Sequence, residues 1–99
     1  MAKTIIWNRK ASNRFNNIIE YLQSEWGDKV TQNFVIKTYQ IIEILAQNPE
    51  IGTIENQEKQ IRAFVITKHN TIFYRVDDNK LFILTFFDNR QNPNKRSDF

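Results

Sequence analysis

The spacing of apolar residues changes along the chain, and each change marks an element. "KTIIW" (residues 3–7) is a short β-rich run that stops at Asn8 and predicts a first strand. From Ala11 the spacing becomes helical: Ala11, Phe15, Ile18, Leu22 and Trp26 share one face, and Ile19 widens the stripe. Asn8 or Ser12 is placed to cap this helix, and Gly27 to stop it. A second helix starts at Asp28, with Val30, Phe34, Thr38, Ile41 and Leu45 on its inner face, Val35 and Ile42 beside them, and Pro49 just past its end. Only a turn around Gly27 separates the two helices, so they are expected to form an antiparallel hairpin.

"NPEIGTIENQEKQ" (48–60) reads as a polar loop, and its Glu50, Glu55 and Glu58 make it the one acidic segment. Three strand-like runs follow it. "IRAFVIT" and "TIFYRV" are β-branched and aromatic and flank a short turn, "KHN". Asp78-Asn79 suits a hairpin turn leading into "LFILTFF", which is apolar on both faces and predicts an interior strand. The expected fold is α+β, a single domain over residues 1–99 in β-α-α-β-β-β order. Its helix hairpin packs on one face of a four-stranded, mainly antiparallel sheet, and the other face stays partly open.

Composition narrows the chemistry. With no Cys among 99 residues, disulfides, thiol catalysis and cysteine-containing zinc sites are excluded. The first residues lack the apolar core of a signal peptide, and no apolar run approaches a membrane span, so a cytoplasmic, soluble protein is expected. The net charge is +3, and residues 61–99 carry all of it, seven cations against four acids. That bias favours an acidic partner, whether nucleic acid or protein. No phosphate-binding loop, dinucleotide fingerprint or metal-ligand spacing occurs, so no cofactor is implied.

The candidate residues come from strand parity. If Arg62 and Arg75 point away from the helices, Phe64 and Phe73 go with them, and Arg90 joins them from the strand's end. Cations interleaved with aromatics suit stacked bases and phosphates, and equally a protein partner. His69, the only histidine, lies with Lys68 in the turn. Trp7 and Trp26 read as core or helix-edge residues, with partner binding by Trp26 the second reading.

The ordered set of "NP" then "G" after the second helix, the Arg-led "IRAFVI", "TIFYRV" and a last strand ending "FFDNRQNP" resembles the RelE/ParE superfamily of toxins from type II toxin-antitoxin systems. The resemblance covers nearly the whole chain. It implies a bacterial toxin, as in plasmid stabilisation systems, held inactive by a cognate antitoxin whose C-terminal segment wraps it. Operator DNA would then be met only through the antitoxin. RelE-like members cleave mRNA on the ribosome, whereas ParE-like members poison DNA gyrase.

The departures from the nuclease pattern bear on that choice. Thr71 stands where the nuclease strand has its arginine, and Arg62 and Phe64 take the places of two lysines on the strand before it. Arg90 matches the arginine after the last strand, but no tyrosine follows Tyr74. Guanidinium stabilises charge but does not carry protons at neutral pH, which leaves Lys68 and His69 for proton transfer in any nuclease built from Arg62, Lys68, His69 and Arg90. The resemblance therefore implies a ParE-like toxin that binds gyrase through Arg62, Phe64, Phe73, Arg75 and Arg90. The alternatives are an mRNA endoribonuclease and an inactive homologue. The tail from about Pro93 is expected to fray.

Overall fold

The computed structural model describes residues 3–89. Arg90 and the predicted fraying tail lie outside the described residues. Strand β1 (Thr4–Trp7) leads into helix α1 (Arg9–Trp26), and α2 (Asp28–Gln47) follows. A short 3-10 turn (Pro49–Ile51) then precedes β2 (Thr53–Asn56), β3 (Ile61–Thr67), β4 (Asn70–Asp77) and β5 (Lys80–Asp88). These form one five-stranded sheet in the order β1-β5-β4-β3-β2, antiparallel except for the parallel β1–β5 pair.

The α+β architecture and the helix hairpin match expectation, and β5 is interior, between β1 and β4. The strand count does not match: β2 arises from the segment read as a loop. Its sequence, TIEN, has one apolar residue, and its pairing with β3 is broken by a bulge between Ile54 and Asn56. Backbone bonds hold it, and these leave no hydrophobic signature.

Asn8 ends β1 and starts α1, because its Oδ1 accepts from Ala11 N–H at 2.8 Å. Gly27 serves both helices at φ 85: its N–H donates to Leu22, and its carbonyl accepts from the Thr31 hydroxyl at 2.8 Å. The helices cover one face of the sheet, where Ala11, Phe15, Phe34, Ile42 and Leu45 meet Ile66, Ile72, Tyr74, Leu81, Ile83 and Phe86. Phe15 stacks on Phe86 with ring centroids 5.3 Å apart, and Trp7 leans on both. The other face is less open than expected, since Ile61, Ala63, Phe73 and Phe87 form a second small buried cluster there.

Two hydrogen-bond sets fix the ends of the sheet. Tyr74 is fully buried; its hydroxyl donates to Pro49 carbonyl at 2.6 Å and accepts from Gly52 N–H at 3.0 Å. Arg62 Nη1 donates to the carbonyls of Glu50 and Gly52 at 3.1 and 2.8 Å. At the other end, the hairpin turn at Asp78, with φ 58, receives the Lys3 ammonium on its carbonyl at 2.7 Å.

Candidate functional site

The sheet register separates the residues that parity was expected to unite. Arg62 pairs with Tyr74, which belongs to the helix-side core, whereas Arg75 pairs with Ile61, on the opposite face. Phe64 likewise packs against the helix-side cluster. The expectation that Arg62, Phe64, Phe73 and Arg75 share one open face therefore fails. The physical reason lies in Arg62: its guanidinium is anchored by the carbonyls before β2, so it needs no open face to satisfy its charge.

Phe73 and Arg75 do share the far face, but differently. Phe73 is 1% exposed, in edge-to-face contact with Phe87. Arg75 lies over the Phe82 ring at 5.0 Å and reaches Asp77 at 3.9 Å, with more than a third of its side chain exposed. An exposed pair at that distance contributes little to stability, so Arg75 remains available to a partner.

The structure brings Lys68 and His69 together with the end of β5. Thr71 donates its hydroxyl to Asn89 Oδ1 at 2.6 Å, Asn89 Nδ2 donates to Lys68 carbonyl at 3.2 Å, and Asn89 N–H donates to His69 carbonyl at 2.8 Å. One asparagine thus ties the β3–β4 turn to the point where the chain continues into Arg90. Sequence reasoning missed Asn89; its only signal was its place just before the family-matched arginine. Thr71, 2% exposed and committed to Asn89, offers no cation and no proton carrier.

Beside this junction an apolar groove of about 650 Å³ opens between α1 and the ends of β4 and β5. Its cause is the short first strand. β1 stops at Trp7, opposite Ile83, so among the described residues the outer edge of β5 has no strand partner beyond that residue. Arg14 covers part of the bare edge, donating from Nη1 to the Thr85 hydroxyl and the Phe86 carbonyl.

Desolvation pushes the Tyr74 hydroxyl above its usual value, opposed by the Gly52 N–H and the Arg62 charge. Among the described residues no group of three His, Asp or Glu side chains is placed to hold a metal, and no helix is long and apolar enough to cross a membrane.

A helix hairpin on a mixed sheet of this order, with a basic turn beside the end of the last strand, defines a RelE/ParE-type toxin fold. The family profile described as "ParE toxin of type II toxin-antitoxin system, parDE" matches residues 5–93, and the chain belongs to that family. Solved structures share the fold at low identity. The chromosomal ParDE toxin-antitoxin system from P. aeruginosa aligns with TM-score 0.73 at 16% identity, over 88% of this chain and 96% of that one. The YoeB/ParE toxin from Agrobacterium tumefaciens aligns at 0.61 and 15%, over 86% and 96%. The E. coli DinJ-YafQ toxin-antitoxin complex aligns at 0.60 and 13%, over 89% and 93%. No match to a curated protein is found.

Proposed function

We propose that this toxin acts in the cytoplasm by binding DNA gyrase rather than by cutting RNA, and that a cognate antitoxin holds it inactive. The observation that carries this reading is Thr71. The position that holds an arginine in the RNA-cutting branch is here a buried hydroxyl engaged with Asn89. A phosphorane formed at that site would lack a guanidinium at position 71, and Tyr74, the last tyrosine of the chain, is locked in the core. Arg75 and Arg90 serve as target contacts, whereas Arg62 is engaged in holding the segment before β2.

The test is expression of the toxin alone in bacterial cells, with DNA and protein synthesis followed separately by label incorporation and Arg90→Ala run in parallel. DNA synthesis is expected to stop first, and Arg90→Ala to delay the stop. If translation stops first, with mRNA cut at defined codons, the gyrase reading falls and Lys68, His69 and Arg90 become the nuclease candidates. Normal growth with soluble, folded toxin in the cell would identify an inactive homologue.

A further inference from the structure

The end of β5 is fastened more firmly than closing a sheet requires. Thr71 is 2% exposed on β4, a place where valine would fill the same space with no polar atom to satisfy. Its hydroxyl is satisfied by Asn89, whose Oδ1 accepts from it at 2.6 Å. The other end of that amide donates from Nδ2 to the Lys68 carbonyl at 3.2 Å, and the Asn89 N–H donates to the His69 carbonyl at 2.8 Å. The receiving turn is itself fixed, because Thr67 Oγ1 accepts from the His69 N–H at 3.2 Å. Asn89 is therefore held by backbone and side chain, from β4 and from the turn at once.

The chemistry of this contact is selective. Asparagine carries a donor and an acceptor on one short side chain, and both are used. Aspartate would turn a second acceptor toward the Lys68 carbonyl, and alanine would make neither bond. Thr71 and Asn89 also line a groove of about 520 Å³ with Thr53, Ala63, Phe64 and Val65. Arg90 follows Asn89 by one peptide bond, so whatever fixes Asn89 fixes the root of that arginine. A long cation loses backbone and rotamer freedom when it binds, and a root held in advance lowers that cost.

We propose that Thr71 and Asn89 form a positioning latch for Arg90, which presents the guanidinium to the target from a backbone already set by the fold. This rests on the reading of Arg90 as a target contact. Position 71 then acts by placing an arginine beyond the end of the neighbouring strand, and not through a charge of its own. Both latch residues act through Arg90, and neither needs to touch the target.

The test compares wild type, Thr71→Val, Thr71→Ser, Asn89→Asp and Arg90→Ala by the amount of toxin per cell that halves bacterial growth, a readout that holds whichever target is hit. Thermal melts of the purified variants confirm folding, and Asn89→Asp, at a partly exposed position, keeps the test valid if Thr71→Val is unstable. Thr71→Val and Asn89→Asp are expected to require about tenfold more toxin, whereas Thr71→Ser, which keeps the hydroxyl, stays within about twofold of wild type. In 15N relaxation of the free toxin, the two weakened variants are expected to lower the heteronuclear NOE of the Arg90 amide and leave that of Phe86 unchanged. Full toxicity of both Thr71→Val and Asn89→Asp beside a weakened Arg90→Ala would overturn the latch alone. So would a loss in Thr71→Ser equal to that in Thr71→Val, which would point to packing of the side chain, or a loss of toxicity with the Arg90 NOE unchanged. Full toxicity of Arg90→Ala, or wild-type toxin without effect on growth, would overturn the contact reading of Arg90 and this inference with it.

Discussion

The sheet ends on both sides in a four-residue strand, yet the two edges are held by different forces. At the β1 edge the chain is fastened by packing. Ile5 and Trp7 join the helix-side core, and Trp7 touches Phe15, Tyr39 and Phe86. At the β2 edge Thr53, Ile54 and Glu55 are exposed, and Tyr74 and Arg62 tie down the turn before them through four hydrogen bonds. Apolar attachment is non-directional and tolerates the trench beside it, whereas polar attachment fixes one conformation and fails when one partner is removed.

If packing dominates the first edge, the largest loss should come from its central ring. Phe15→Ala removes a side chain that contacts Trp7, Phe34, Tyr39 and Phe86 at once. Urea denaturation is expected to show about 3–5 kcal/mol of destabilisation, with Phe34→Ala in the same range. A loss under about 1 kcal/mol would mean that β1 and α1 are held by something other than this aromatic cluster.

The polar edge should yield less, but in a form that depends on pH. Tyr74→Phe keeps the ring and leaves Gly52 N–H and Pro49 carbonyl without a partner, at a cost of about 1–3 kcal/mol. The wild-type hydroxyl titrates above its usual value in the folded protein, so its neutral form is the one that folding favours. Its contribution is therefore complete below about pH 10 and is lost as pH rises through the higher folded value. Wild type is expected to approach the stability of Tyr74→Phe in strong alkali, and a constant gap between them up to the point of unfolding would contradict this.

A smaller effect tests why the first strand is short. Asn8→Ala removes the side-chain acceptor for Ala11 N–H and should cost about 1 kcal/mol, read as a lower melting temperature. An unchanged melt would show that the β1–α1 corner is set by Trp7 packing alone.

The same contrast explains what the sequence could disclose. Elements fastened by packing write their periodicity into the chain: both helices, the meander from Ile61 and the interior place of β5 were legible from apolar spacing. The β2 edge was not, because its bonds join Tyr74 to Gly52 and Pro49 across more than twenty residues and use backbone groups that every residue has. The side taken by Arg62 was misread for a related reason. An exposed face is the default for a cation, but three-dimensional proximity to two carbonyls supplies another solution. Of the candidate site, the Lys68-His69 turn could be read directly, while the Asn89 clamp depends on a contact between residues eighteen to twenty-one apart.

Trp26 gives the smallest predicted effect on the isolated protein and the sharpest use of the comparison. It closes the apolar stripe of α1, so periodicity alone would make it a core residue, but it stands 66% exposed. Exposed positions without capping or packing partners change stability by less than about 0.5 kcal/mol, and Trp26→Ser should melt with the wild type within that margin. A destabilised free toxin would show that the whole α1 stripe is core after all, and would remove the distinction between the covered and uncovered parts of that helix.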